Sequence, residues 1–214
     1  MTFINLPKGI SDLFFHPDAF FERVSKEKVN LFPPVLIVLI GALIFVIIIL
    51  LFFVWNRTGW SSWVLTVVSW SRNIILSLAG RAFIMPFLVW AVFSVIFYGL
   101  SRAAGGTGSF SMTVQNMGYG MLPWSVSALI PVAAYLHHFF TFTSGPQTGG
   151  YSGIWMMPWP WGFYSLPLFL ILIWSVFLWV PAVQHTHGFT RQKAAIIVGI
   201  PVIVLLILQL SCLW

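Results

Sequence analysis

The sequence predicts an all-α protein, an integral membrane helical bundle of five transmembrane helices with additional interfacial amphipathic helices. Hydrophobic residues make up 59% of the 214 residues and charged residues only 7%. A typical soluble domain contains about 25% charged residues. Several uncharged stretches reach the roughly 20 residues that a helix needs to cross a bilayer. The 12 Trp and 21 Phe residues are typical of a chain that meets both membrane interfaces.

The N-terminal segment, residues 1–34, is predicted to be cytoplasmic and to carry an amphipathic helix. It holds eight of the fourteen charged residues, including all four carboxylates. Pro17 and Asp18 mark the start of the helix, because proline suits the first helical position and an acidic residue suits the first turn. Phe20, Phe21 and Val24 share one face, which we expect to lie at the cytoplasmic membrane interface. No cleavable signal peptide is predicted.

Residues 35–214 are predicted to form the five-span membrane domain. The spans are expected at residues 34–55, 83–100, 121–140, 163–183 and 194–214. Residues 59–80 repeat apolar side chains at i, i+3, i+4 and i+7, and we interpret them as an interfacial helix that is closed by Arg81. Residues 141–162 carry no charge and are rich in Gly, Pro and Trp, so they are predicted to form a loop.

The positions of the basic residues set the expected orientation. With the N-terminus in the cytoplasm and the C-terminus outside, seven basic residues fall on the inner side and three on the outer side. The inner residues are Lys8, Arg23, Lys26, Lys28, Arg102, Arg191 and Lys193. For a prokaryotic protein, this places the chain in the plasma membrane.

Three sequence patterns resemble catalytic, metal-binding or phosphate-binding sites, but their surroundings argue against each function. Ser152 lies in a Gly-Tyr-Ser-Gly sequence similar to that of intramembrane serine proteases, but it falls in the predicted outer loop, across the membrane from His185 and His187. The histidine pairs at His137 and His185 are separated by a span of about 30 Å, so they cannot share a metal ion. The glycine run at residues 105–108 lacks the Lys-Ser/Thr of a phosphate-binding loop and is interpreted as a flexible hinge. No enzyme activity, cofactor or metal is therefore expected.

Coupled transport is not expected either, because the predicted spans contain no Asp, Glu, Lys or Arg. Ionisable residues inside a membrane are the usual mark of a proton or ion pathway. Pro131, Pro167 and Pro201 could break helices and free backbone groups for binding. A small passive transporter or channel for a neutral solute therefore stays open as the alternative function.

Three short segments resemble the Yip1-like family of polytopic membrane proteins, in its prokaryotic or archaeal form. They are the Pro-x-x-Phe-Phe-Glu pattern from Pro17, the link with Gly-x-Gly-Ser-Phe from Gly106 and Gly-Tyr-x-x-x-Pro from Gly118, and the His-Gly-Phe-Thr turn from His187. The resemblance implies a non-enzymatic scaffold or organising protein with a trafficking-related role. The Asp-Leu-x-Gly-Pro motif of eukaryotic members is missing after Asp12, which argues against Rab binding.

We expect function to reside on the cytoplasmic face, because every family-like segment reaches that side in the predicted topology. A protein partner at this face and a homo-oligomer are both compatible with the sequence. The lipid bilayer is the other expected partner, and no nucleic acid partner is expected. In the alternative interpretation, the same residues only pack helix ends and anchor headgroups. The candidate interaction residues are Phe20, Phe21, Gln115, Asn116, Gly118, Tyr119, Pro123, His187 and Arg191.

Overall fold

The computed structural model describes residues 6–59, 72–130 and 161–211, with side chains over residues 11–51, 76–130 and 169–207. These residues are helical apart from short turns and connections, and none of them forms a strand. The all-α prediction is therefore confirmed for the described residues. The helices are α1 (Leu6–Phe15), α2 (Pro17–Lys26), α3 (Phe32–Gly59), α4 (Arg72–Ala103), α5 (Phe110–Tyr119), α6 (Leu122–Ser127), α7 (Trp161–His187) and α8 (Arg191–Ser211).

Among the described residues, three helical segments are long and apolar enough to cross a membrane, not the five that we predicted. They are Phe32–Leu51, Leu76–Ala103 and Phe169–His187. Half of the predicted span at residues 121–140 and nearly all of the predicted loop at residues 141–162 fall outside the described residues. Helix α8 covers most of the predicted span at residues 194–214, whose last three residues fall outside the described ones.

Helix α4 corrects the predicted boundary at Arg81. We expected an interfacial helix at residues 59–80 and a separate span from Phe83, but α4 runs without a break from residue 72 to residue 103. Its membrane-compatible segment therefore includes Arg81 and Arg102, whereas the predicted spans carried no charge. A single arginine does not end a helix near an interface, because its long apolar stem lets the guanidinium reach water. Residues 60–71 lie outside the described part of the chain.

Helix α2 begins at Pro17 as predicted, but its apolar face does not face the membrane. Phe20 is 5% exposed, Phe21 is fully buried and Val24 is 7% exposed, all within the protein itself. Phe20 packs edge-on against Tyr119 of α5, with ring centroids 5.0 Å apart. This face is therefore buried against protein and not in lipid, whereas the position of the helix at the cytoplasmic interface stays a prediction.

The described chain divides into two units. Unit 1 comprises Met1–Val38, Phe87–Leu122 and Trp174–Trp214, and unit 2 comprises Leu39–Pro86 and Pro123–Ile173. In unit 2, a Cβ on Gly41 would lie 2.6 Å from the Oγ atom of Ser125, so α3 and α6 approach closely there. Unit 1 has an aromatic core in which the fully buried Trp179 lies 4.9 Å from Phe93 and 5.5 Å from Phe97, measured between ring centroids. The residues discussed below as a candidate site belong to unit 1.

Candidate functional site

Helix α5 is set up by the chain that precedes it. Gly105 has a φ of +84°, which L side chains rarely adopt, so the turn after α4 favours glycine. Ser109 then caps α5, since its Oγ accepts a hydrogen bond from the amide of Met112 at 3.2 Å. The indole of Trp90 on α4 donates to the carbonyl oxygen of Val114 at 2.9 Å. These contacts hold α5 against α4, with Gln115 and Asn116 in buried positions.

Polar side chains of α5 connect three segments that are distant in sequence. The Nδ2 atom of Asn116 donates to Thr186 Oγ1 at 2.7 Å and to Ser25 Oγ at 3.2 Å. The Oε1 atom of Gln115 accepts from the amide of Asn30. We call this set, together with a second pair described next, the polar cluster: Ser25, Asn30, Thr113, Gln115, Asn116, Thr186 and His187.

The second pair joins α5 to the end of α7. Thr113 Oγ1 lies 3.1 Å from His187 Nε2, and both side chains are at most 2% exposed. Thr113 also donates its hydroxyl to the carbonyl oxygen of Ser109 at 3.0 Å, so it accepts from the histidine. Buried polar groups that bond to one another favour a single arrangement. The polar cluster therefore specifies how α2, α5 and the end of α7 lie relative to one another.

An outer contact joins α2 to the same end of α7. The Nε2 atom of His185 lies 2.9 Å from the Oδ1 atom of Asp18. The aspartate side chain is 61% exposed, so this pair contributes little to stability. It shows instead where the N-terminal helix lies relative to α7.

The connection between α4 and α5 packs against the turn between α7 and α8. We call residues 104–109 the glycine loop. A Cβ on Gly108 would lie 2.3 Å from the carbonyl oxygen of Thr186, and one on Gly106 would lie 2.9 Å from the Cβ of His187. The loop also receives a hydrogen bond from the Arg102 guanidinium to the Gly106 oxygen at 3.0 Å. These glycines therefore serve close packing between two backbones and not the flexible hinge that we expected.

Two titratable groups at the edge of unit 1 are shifted from their ordinary values. Burial raises the pKa of the Tyr119 hydroxyl, and the nearby carboxylate of Glu27 raises it further. The hydrogen bond from Lys26 lowers the pKa of Glu22. At neutral pH, Tyr119 is therefore a neutral hydroxyl and Glu22 is an anion, so neither provides a proton acceptor poised for catalysis.

Comparison with known proteins identifies the family of this chain. The Yip1 domain matches residues 11–213. The chain belongs to the Yip1 domain family. An uncharacterized protein of Methanocaldococcus jannaschii is 29% identical over 138 residues, which cover 64% of this chain and 93% of that protein. No solved structure matches the chain. The resemblance read from three short segments thus extends over almost the whole chain and includes an archaeal relative.

The Yip1 domain brings most of the predicted interaction residues together but leaves few of them exposed. Arg191 is exposed and Tyr119 is half-buried, whereas the remaining candidates are buried. Gly118 touches α3 and α4, since a Cβ there would lie 2.4 Å from Pro34 and 3.0 Å from Trp90. Pro123 belongs to unit 2 and is not part of the polar cluster. The prediction that these residues contact a partner stays a prediction, because the structure shows contacts among themselves. The buried candidates are Phe20, Phe21, Gln115, Asn116, Gly118, Pro123 and His187.

Sequence reasoning missed several members of the polar cluster in this Yip1 domain. Thr113 lies three residues before Asn116, so it shares a helix face with it, and this spacing was an available signal. Thr186 stands between two histidines at the end of an apolar run, which also marks it as polar at a buried position. Ser25 and Asn30 had no such signal. Within the described ranges, no group of three His, Cys, Asp or Glu side chains could hold a metal ion.

Proposed function

We propose that this Yip1-domain protein is a non-enzymatic membrane scaffold that works through the end of unit 1 where the polar cluster lies. One observation supports the proposal above the others. Asn116 bonds both Ser25 and Thr186, so one buried amide joins the N-terminal helix, the α5 link and the α7 end, which together we call the platform. These are the same three segments that carry the family-like sequence patterns.

The chemistry of the polar cluster favours a structural role over catalysis. His187 is 2% exposed and Asn116 is fully buried, so neither reaches a substrate from solvent. Their polar atoms bond to the hydroxyl groups of Thr113 and Thr186. Nucleophilic catalysis needs a nucleophile, a base that activates it and a third group that orients the base, and these pairs do not supply all three. A buried network of this kind specifies a conformation, which is what a platform for assembly requires.

The proposed scaffold keeps the orientation derived from the basic residues. The platform would lie on the cytoplasmic side of a plasma membrane, with five spans and the C-terminus outside. The exposed side of α2 would be the surface offered to a cytoplasmic protein, and it carries both charges in the Glu22–Lys26 pair, 2.6 Å apart. A trafficking-related or membrane-organising role would then depend on this surface.

Passive permeation by a neutral solute is the competing function, and reconstitution separates the two. We expect vesicles that contain the purified chain to swell in glycerol or urea at the same rate as protein-free vesicles. A pH gradient should drive no more uptake of these solutes into them than into protein-free vesicles. Cysteines introduced at Ser109 and Ser152 on a Cys212→Ser background report orientation in the same vesicles through an impermeant thiol reagent. Ser152 should be labelled only from the outer side and Ser109 only from the cytoplasmic side. Swelling or uptake that rises with the protein content would contradict the scaffold proposal.

A further inference from the structure

Two basic side chains bond the glycine loop at one end of unit 1, and a third belongs to the same helical turn as one of them. The Nζ atom of Lys193 donates to the carbonyl oxygen of Ala104 at 2.6 Å and lies 4.6 Å from the centre of the Phe189 ring. The guanidinium of Arg102 donates to the oxygen of Gly106. Arg191 opens the same first turn of α8 as Lys193. All three cations are exposed, so the loop presents a concentrated positive charge.

Among the described residues, no carboxylate forms an ion pair with these three cations. Every Asp and Glu of the chain precedes residue 28. Asp12, Asp18 and Glu22 are paired with Arg23, His185 and Lys26 respectively. In the described part of the chain, Arg102, Arg191 and Lys193 form no ion pair, and each keeps free N–H donors because a guanidinium has five and an ammonium three.

Unused polar groups also lie next to the loop. The Nδ1 atom of His187 is buried and has no hydrogen-bond partner among the described residues. It is directed at the loop, since Cβ atoms built on Gly106 and Gly108 would lie 3.0 and 2.9 Å from it. The Oγ atom of Ser101 is likewise buried without a partner, and the carbonyl oxygen of the same residue accepts from the Gly106 amide. Buried polar atoms without a protein partner indicate a water or ligand that completes them. The Nδ1 atom accepts, because Nε2–H donates to Thr113, so it suits a water or a headgroup hydroxyl, whereas the Ser101 hydroxyl can donate to a phosphate oxygen.

The loop lies at the end of two membrane-compatible segments. One of these segments ends at Ala103, directly before the loop, and the other ends at His187, against which the loop packs. The side chain of Phe110, at the start of α5, is 44% exposed beside the loop. Cations with an exposed aromatic ring at the end of membrane helices are positioned at the depth of lipid headgroups.

We propose that the glycine loop with Arg102, Arg191 and Lys193 binds the phosphate group of an anionic phospholipid. Phosphate oxygens accept charge-assisted hydrogen bonds from guanidinium and ammonium groups, and these bonds are about twice as strong as neutral ones. Basic pockets between membrane helices bind anionic headgroups in the same way. This inference needs only a membrane-embedded chain and does not depend on the scaffold role.

Titration of the full chain in detergent with short-chain phosphatidic acid tests the proposal by calorimetry. We expect saturable binding that Arg191→Gln and Lys193→Gln each weaken about fivefold, as is usual for one cation near a headgroup. Arg191 makes no hydrogen bond or ion pair among the described residues, so its substitution should not disturb folding. Lys28→Gln is the matched control, because Lys28 is exposed and its side chain has no hydrogen bond to the glycine loop among the described residues, so the change should alter affinity less than twofold.

Four outcomes would overturn the proposal. Unchanged affinity in both loop variants would show that the loop does not bind the phosphate. Equal weakening by Lys28→Gln would indicate unspecific attraction to net charge, as would equally tight binding of short-chain phosphatidylcholine. If inorganic phosphate bound as tightly as phosphatidic acid, the ligand of the loop would be a soluble anion and not a lipid.

Discussion

The Gly108→Ala chain is expected to lose about 1–3 kcal/mol of its free energy of unfolding, as is typical when a packed site is overfilled. The added Cβ would lie 2.3 Å from the carbonyl oxygen of Thr186 and 2.9 Å from Nδ1 of His187. The first of these atoms belongs to the backbone, so it cannot rotate away as a flexible side chain would. The glycine loop would have to separate from the α7–α8 turn. Thermal unfolding in detergent, followed by tryptophan fluorescence, measures the effect.

The matched control for this change is Gly99→Ala. Gly99 is exposed within α4, and a Cβ built on it meets nothing within 4 Å. Alanine has a higher helix propensity than glycine, so this variant should be as stable as the parent or more stable. If Gly108→Ala unfolded at the same temperature as the parent and as Gly99→Ala, the tight contact between the loop and the turn would be contradicted.

Replacing Asn116 with leucine is expected to cost about 1–3 kcal/mol, the usual penalty for buried hydrogen bonds that are left unmade. Leucine has a similar size but cannot donate to Thr186 or Ser25. Thr186 keeps its bond to the carbonyl oxygen of Ala182 at 2.6 Å, whereas the hydroxyl of Ser25 loses the donor from Asn116. We expect the N-terminal helix to detach first, so protease cleavage between α2 and α3 should accelerate as the unfolding temperature falls.

Ser111→Ala serves as the control for this variant, because it changes an exposed residue on the same helix. Exposed substitutions of this kind usually alter stability by less than about 0.5 kcal/mol. An Asn116→Leu chain that matched Ser111→Ala in both unfolding and protease sensitivity would show that the polar cluster does not hold the three segments together.

The sequence predicted the start of α2 correctly but not the surroundings of its apolar face. Pro17 and Asp18 specify a helix start by local chemistry, which does not depend on tertiary contacts. The positions of Phe20, Phe21 and Val24 show only that one face is apolar. Such a pattern is the same whether lipid or protein covers the apolar face. Only the structure shows that Tyr119 packs against it.

The continuous helix α4 could not be predicted for a similar reason. Charge near the end of an apolar run is a common sign of a span boundary, so Arg81 was taken to close one segment. Helix continuity depends on backbone hydrogen bonds, and these extend past an arginine whose head can reach the interface. The charge at Arg81 therefore did not mark the end of a helix.

The candidate site was predictable in part. Gln115 and Asn116 were identified because they lie in a family-like link that is expected to reach the cytoplasmic face, and both prove to be buried. Their partners lie 70 to 91 residues away, and no local pattern connects such positions. The packing role of Gly106 and Gly108 was equally hidden, since glycine that permits close approach and glycine that provides flexibility are identical in a sequence.

The central claim is that the N-terminal helix docks on the polar cluster with its apolar face inward. Cysteines in place of Asp18 and His185, on a Cys212→Ser background, test it most directly, because the replaced side chains lie 2.9 Å apart. We expect dibromobimane, a short reagent that fluoresces when it bridges two thiols, to label this pair within one chain. Chains that carry only one of these two cysteines should give no fluorescent product, because bridging needs both thiols. Absence of bridging in the double-cysteine chain, or equal fluorescence from the single-cysteine chains, would contradict the docked position of α2.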